Sequence, residues 1–419
     1  MKVNFYDVVD VISGGTPRTD VGEFWNGEIP WLSVVDFAKS VKYVYDTEKH
    51  ITELGLKNSN TKLLNIDDII ISARGTVGAI AMLKIPMAFN QSCFGLRAKR
   101  EFMNQDYLFY FLKYYMENLK KKTQGSVFST INLETFRMID FELPDTNTQI
   151  KISKILSCLD SKIENNNKIN AELESMAKTL YDYWFLQFDF PDENGKPYRQ
   201  NGGAFEYNKQ LNRNIPVGWQ VKTVKHCVKK ISTGLNPRKN FVLGKGTNKY
   251  LTIKNIDNGR LLFDSCDLID DEALKIIHAR SDISVGDILF TSIDPVGRLY
   301  YILEKPEGWD INESVFSVRT NTQIVSNEYL YSVFDSDYFK AQTLPLMTGS
   351  VQKGIRIAAL ESIPLVVPEA RIIKAYTEKV RSIYERKAKI EKESIELAAL
   401  RDFLLPLLMN GQVTVEKKA

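Results

Sequence analysis

Two stretches of this chain read alike although 219 residues separate them (287 − 68): DIIISARGTVG from Asp68 and DILFTSIDPVG from Asp287. Other marks return at nearly the same distance. Pro17-Arg18 comes back as Pro237-Arg238, and Trp31-Leu32-Ser33 as Tyr250-Leu251-Thr252. Asn90-Gln91-Ser92 comes back as Asn312-Glu313-Ser314, Gly125-Ser126-Val127 as Gly349-Ser350-Val351, and Pro144 as Pro368. A period this long is a whole domain plus a connector rather than a solenoid repeat. It constrains the fold to two diverged copies of one module, which suggests a binder with two related sites.

The 419 residues are enough for about two to four domains, and 44% hydrophobic with 26% charged residues is ordinary for a globular protein. No apolar run approaches the roughly eighteen residues of a membrane span. The start, MKVNFYDVVD, lacks the apolar stretch of a signal peptide. Cys93, Cys158, Cys227 and Cys266 are scattered, with no C-x-x-C pair, which argues against a zinc site or a disulfide framework. These features point to a cytoplasmic protein without membrane association. The net charge of +3 gives a nucleic-acid binder only weak support, so its basic groups must be clustered or its partner basic.

Residues 1–144 read as a first module, with strands expected at 29–35, 68–73, 78–84 and 93–98 and a helix at 105–121. The texture then changes. From about 146 to 187 there is no proline or glycine, and apolar residues from Ile152 to Tyr183 recur every three or four positions. This is one long amphipathic helix with a narrow seam, broken by Asn165-Asn166-Asn167. The domain scheme sets 145–188 as this helix, 189–215 as a turn-rich linker loop, 216–368 as the second module, 369–410 as a second long helix and 411–419 as a tail. The second seam runs Ile373, Tyr376, Val380, Ile383, Ile390, Leu397, Leu404, Leu408, with Lys387, Ser394 and Arg401 in the remaining seam positions. Each helix would extend roughly 60 Å. Isolated narrow seams are seldom stable in water, so the two helices are expected to pair antiparallel. The fold class that follows is α+β: two globular mixed α/β domains joined by two long antiparallel coiled-coil helices with pseudo-twofold symmetry.

This order of motifs resembles the DNA specificity (S) subunit of type I restriction–modification systems. In the first module the marks are Gly14-Gly15-Thr16-Pro17, EIPWLSVVDF, ISARGTVG, FNQSCFGLR and TQGSVFSTINLETF, followed by the helix opening TQIKISKILSCLDSKI. The block from WFLQFDFPDENGKPYRQ to NIPVGW and the ending LRDFLLPLLMNGQV also look typical. The resemblance covers nearly the whole chain. It implies two target recognition domains, each reading one half of a split double-stranded DNA sequence. It also implies helices that act as a ruler and dock two methyltransferase (M) subunits, with motor–nuclease (R) subunits joining the full complex. The subunit itself would be non-catalytic and need no cofactor or metal.

Base edges are read by Arg, Lys, Asn and Gln, with further donors on phosphates. Four pairs of loops offer them. The first holds Thr16 and Arg18, matched by Asn236, Arg238 and Lys239. The second holds Arg74 and Thr76, matched by Ile293-Asp294-Pro295. The third holds Gln91, matched by Glu313. The fourth holds Lys121, Lys122, Gln124 and Ser126, matched by Ser350, Gln352 and Lys353. Asn90 and Asn312 persist in both copies and are expected to hydrogen-bond within the fold. Trp31 and Tyr250 are expected in the core. Enzyme signatures are missing: there is no Walker loop, no Asn/Asp-Pro-Pro-aromatic methyltransferase motif, and only His50, His226 and His278. The alternative is a structural coiled-coil adaptor that bridges partner proteins without reading DNA sequence.

Overall fold

Ile69-Ile70-Ile71-Ser72 and Ile288-Leu289-Phe290-Thr291 are buried at every position, as a strand must be when both faces of its sheet are covered. In the computed structural model, which describes residues 1–38, 42–122, 130–257, 259–349 and 352–415, each of these strands is central to a sheet of its own. The sheets belong to two compact units, Met1–Lys168 with Glu391–Ala419, and Ile169–Ile390. Each unit thus takes about half of both long helices, rather than ending where a helix begins.

Unit 1 holds eleven strands among its described residues: β1 (Lys2–Asn4), β2 (Val9–Ser13), β3 (Trp25–Leu32), β4 (Tyr43–Val44), β5 (Lys49–Ile51), β6 (Leu63–Leu64), β7 (Ile69–Ser72), β8 (Ile80–Leu83), β9 (Met87–Phe89), β10 (Cys93–Ala98) and β11 (Asp140–Glu142). They form a sheet of order β2-β10-β7-β8-β4, a second of order β5-β3-β9-β6, and the pair β1-β11. Gln105–Lys122 is an 18-residue helix that packs on the first sheet.

Unit 2 repeats the plan. After a hairpin of β12 (Phe205–Asn208) and β13 (Arg213–Pro216) come β14 (Gln220–Thr223), β15 (Val228–Thr233), β16 (Asn248–Leu251), β17 (Ile256–Asp257), β18 (Arg260–Leu261), β19 (Asp267–Ile269), β20 (Ile288–Thr291), β21 (Leu299–Tyr301), β22 (Trp309–Ile311), β23 (Val315–Thr320) and β24 (Pro364–Val367). The sheets run β15-β23-β20-β21 and β19-β16-β22, with the pairs β14-β24 and β17-β18. Even the one parallel contact inside the second sheet returns: β3 with β9, β16 with β22. The packing helix of this unit is Asn327–Asp335.

The cores correspond residue by residue. Leu32, Phe37, Val44, Leu64, Ile70, Leu83, Met87, Phe89 and Cys93 form one buried cluster in unit 1. Leu251, Ile256, Leu261, Ile283, Leu289, Ile302, Trp309, Ile311 and Val315 form its counterpart in unit 2. The offsets stay between 217 (261 − 44) and 222 (315 − 93), so side chains changed while positions held. Burial pushes the Cys93 thiol up to about 12 and the Cys227 thiol up to about 11, keeping both as protonated apolar groups.

The first long helix is Thr146–Tyr181, capped by Asp145, which accepts from the Thr148 backbone at 3.1 Å, and it ends in a π-turn at Asp182–Leu186. The second is Ala370–Met409, and Pro406 lies inside it near the last turn. Both lie within the stretches 145–188 and 369–410. Within unit 1, Asp160 meets Arg401 at 2.7 Å and Asn166 meets Glu393 at 2.8 Å and Ser394 at 3.1 Å. Rising numbers on one helix meet falling numbers on the other, so the segments pair antiparallel there. Within unit 2, Glu174 meets Lys387, and the Trp184 and Tyr376 rings lie 5.8 Å apart, with the same sense. The polar seam positions Lys387, Ser394 and Arg401 therefore face polar partners rather than interrupting an apolar stripe.

Residues 189–215 differ from the expected linker loop. They hold β12 and most of β13, and there Phe188 packs on Phe205 and Phe190 on Tyr198, with Trp219 against both Phe188 and Phe190. Asp189 is buried and accepts from the Gln200 backbone and side chain, both at 3.0 Å. The polar, turn-rich composition disguised a small aromatic core fed by only one residue in every several.

Arg401→Met should lower the stability of unit 1 by about 3–5 kcal/mol, because it strands the buried Asp160 carboxylate without its cation. Urea unfolding of the wild type and variant measures this. A loss under about 1 kcal/mol would show that the pair does not carry the helix contact.

Candidate nucleic-acid interface

The register of the first sheet decides where the candidate loops emerge. In unit 1 the last residue of β2, Ser13, pairs with Phe94 near the start of β10, and Cys93 pairs with Ser72, the last residue of β7. Ile71 pairs with Ile80 at the start of β8. The loop after β2, the β7–β8 turn and the β9–β10 turn therefore leave the same end of the sheet. Backbone bonds tie them: Ala73 N–H donates to Ser92 O at 2.8 Å and Ile131 N–H to Ala73 O at 2.9 Å. Unit 2 repeats both bonds, Ser292 N–H to Ser314 O at 2.9 Å and Ile355 N–H to Ser292 O at 2.8 Å.

Thr16, Arg18, Arg74, Thr76 and Gln91 all lie on these loops of unit 1. Thr16 Oγ1 donates to Gln91 Oε1, joining the first loop to the third. Arg18 is exposed and makes two hydrogen bonds to Asp20, at 3.2 and 2.7 Å. That bond holds the Asp20 carboxyl below its ordinary range. Arg74 and Thr76 are exposed on the β7–β8 turn. Lys121 and Lys122 close the packing helix, whereas Gln124 and Ser126 lie outside the described residues. In unit 2, Asn236 is half-buried and Arg238 and Lys239 are exposed, all on the loop after β15. Exposed Gln352 and Lys353 join the same end through Asp294 N–H, which donates to Lys353 O at 2.9 Å. Ser350 lies outside the described residues.

The same end is built by a shared framework. Asn90 accepts from Ser92 N–H at 3.0 Å and Asn312 from Ser314 N–H at 3.1 Å, the internal role expected of both. Trp31 and Tyr250 are buried, and each also pins the loop after β2 or β15: Trp31 Nε1 donates to Gly15 O at 3.2 Å, Tyr250 Oη to Leu235 O at 2.6 Å. Two ion pairs escaped the sequence reading. Asp68 binds Arg97 at 2.7 Å, and Asp287 binds Arg319 at 2.9 Å. Each links the residue before the central strand to β10 or β23. The signal was present, since both halves of the repeat begin with aspartate and both matching strands carry an arginine.

Among the described residues no group of three His, Cys, Asp or Glu could hold a metal ion, and no helix is long and apolar enough to cross a membrane. The module is built twice, and in each copy polar loops gather at one end of the sheet. Residues 1–175 match the type I restriction modification DNA specificity domain. The type I restriction enzyme MjaIX specificity subunit of Methanocaldococcus jannaschii is 26% identical, covering 98% of this chain and 93% of its own. The MjaVIII specificity subunit of the same organism is also 26% identical, covering 99% and 93%. A crystal structure of the type I restriction–modification S subunit from M. genitalium shares the fold, with a TM-score of 0.56 at 14% identity over 98% of this chain and 96% of that one. The first 175 residues thus match the specificity-domain model, and the chain is similar over nearly its whole length to specificity subunits of type I restriction enzymes.

Gly14 and Gly234 occupy matching positions where the chain leaves β2 and β15. A Cβ would stand 2.2 Å from Asn90 O at Gly14 and 1.6 Å from Ile311 O at Gly234. Gly14→Ala and Gly234→Ala should each cost about 1–3 kcal/mol by forcing this backbone apart. Hydrogen exchange should show the loss confined to the unit that carries the substitution, and a loss spread over both units would contradict the local account.

Proposed function

We propose that the chain reads a bipartite double-stranded DNA target, one module per half-site, and holds two methyltransferase subunits on its long helices. Motor–nuclease subunits join this core in the full complex, in the cytoplasm. The observation that carries the reading is the duplicated sheet end. The same framework bonds recur in both units, while the side chains they present differ: Arg74-Gly75-Thr76 in one turn, Asp294-Pro295 in the other. Equal frameworks with unequal side chains suit two half-sites of unlike sequence.

In this reading Thr16, Arg18, Arg74, Thr76 and Gln91 face one half-site, together with Lys121, Lys122, Gln124 and Ser126. Asn236, Arg238, Lys239, Ser350, Gln352 and Lys353 face the other. Arg18 can exchange its exposed Asp20 partner for a phosphate or a guanine edge. The two long helices, antiparallel within each unit, suit a rod whose modules meet the duplex in inverted sense, as the halves of dimeric binders do on palindromes. The spacer between half-sites then has fixed length and free sequence.

Selection from random duplex pools by the chain with its methyltransferase subunit should enrich a bipartite motif with a constant gap. Arg74→Ala should relax one half of that motif by about 1–3 kcal/mol and leave the other half unchanged. Deleting seven residues from each long helix preserves the seam period and shortens a rod by about 10 Å. The preferred gap should then shrink by roughly three base pairs at 3.4 Å each. Failure to enrich any motif would favour an adaptor, and an unchanged gap would remove the ruler.

A further inference from the structure

Among the polar contacts between each module and a long helix, three fall on matching positions in the two units with their chemistry rearranged. In unit 1 the packing helix meets the first long helix at Asn104 with Ser153, Asp106 beside Ser157, and Tyr110 with Asp160. In unit 2 the packing helix meets the second long helix at Ser326 with Thr377, Glu328 with Arg381, and Ser332 with Tyr384. The packing-helix positions differ by 222 (328 − 106) and the long-helix positions by 224 (381 − 157) throughout.

At the first contact a hydroxyl lies beside a small polar side chain in both units: Ser153 Oγ is 3.4 Å from Asn104 Oδ1, and Ser326 Oγ is 2.7 Å from Thr377 Oγ1. At the third, the tyrosine has changed sides. Tyr110 on the packing helix donates to Asp160 at 2.6 Å, whereas in unit 2 Tyr384 stands on the long helix, 2.8 Å from Ser332. At the second, the cation has changed sides. The acid stays on the packing helix. In unit 1 its cation comes from the module itself: Lys42, only 2% exposed, places Nζ 2.6 Å from Asp106 and 2.8 Å from Ser157. In unit 2 the cation comes from the long helix, Arg381, 2.7 Å from Glu328.

The position matching Lys42 is Gly259. Each stands two residues before a corresponding core residue, Val44 and Leu261. Lys42 Nζ lies over the Phe109 and Tyr110 rings, at 5.4 and 4.9 Å. Gly259 has no side chain to send there. A Cβ on it would stand 2.8 Å from Lys387 Nζ and 3.2 Å from Tyr331 Oη, and Tyr331 is the counterpart of Phe109. The space opens instead into a cavity of about 570 Å³ bounded by Gly259, Tyr331, Tyr384, Glu174 and Lys387.

We infer that these three contacts are a seating key: positioning residues that match each module to its own long helix and reject the other helix's chemistry. A lysine-bearing module fits a helix with serine at the second contact. A glycine-bearing module fits a helix with arginine there. A module set on the wrong helix would meet two cations at one acid, or none. A buried acid or ammonium without its partner is costly, so the residues on the two sides are bound to change together. The inference concerns the seat alone and does not depend on what DNA sequence the loops read.

The test is a double-mutant cycle in the full chain, followed by thermal unfolding of unit 1. Ser157→Arg offers the second helix's chemistry to the first module and should lower the midpoint by roughly 2–6 °C. Lys42→Gly removes the cation and should lower it by a similar amount. The double variant K42G/S157R recreates the arrangement of unit 2 and should recover at least half of the summed loss. Cys158→Arg with Lys42→Gly, one residue off the contact, should recover nothing. Additive losses in K42G/S157R, or equal rescue by Cys158→Arg, would overturn the key.

Discussion

The paired polar side chains in the seam of the two long helices are the constraint on which the rest depends. Asp160 with Arg401, Asn166 with Glu393 and Ser394, and Glu174 with Lys387 occupy positions where a leucine would pack in any register. A hydrophobic stripe of this period tolerates a slip of one heptad, but a buried carboxylate does not, since the slip removes its cation. Asp160 shows the coupling most directly. It is fully buried, takes Arg401 from the opposite helix and takes the Tyr110 hydroxyl from the module. One carboxylate therefore fixes both helix register and module seat in unit 1.

Much of this was legible in the sequence, and the reason is periodicity. The long helices were readable because apolar residues three and four apart persist for dozens of residues without proline or glycine. The central strands were readable because Ile69-Ile70-Ile71 and Ile288-Leu289-Phe290 stand between turn formers. The roles of Asn90 and Asn312 followed from their persistence in both copies. What was not legible has no period. Lys42 and Gly259 share neither size nor charge, so nothing marks them as one position until their neighbours Val44 and Leu261 are seen in matching cores. The stretch 189–215 looked like a linker because Phe190, Tyr198 and Phe205 are spread among Gly, Asn and Asp, a density too low for either helix or strand templates.

The two kinds of divergence between the copies differ in character. In the core, residues changed size while staying apolar, as in Met87 against Trp309 or Cys93 against Val315. At the sheet end that carries the candidate loops, backbone bonds were kept and the presented groups replaced. At the seat, partners changed in concert and the sum of interactions was kept. A framework can drift by all three routes at once and still fold, because each change is answered within a few ångströms.

The strand from Cys93 to Ala98 has a consequence for how such a chain can vary. Its first residues border the loops, and its last lead into the helix that is seated by Asp106 and Tyr110. The strand sets its whole length, six residues or roughly 20 Å at about 3.3 Å each, between the loop end and the seat. The side chains that can vary at the loop end are thus different from those that hold the seat, Lys42, Asp106 and Tyr110.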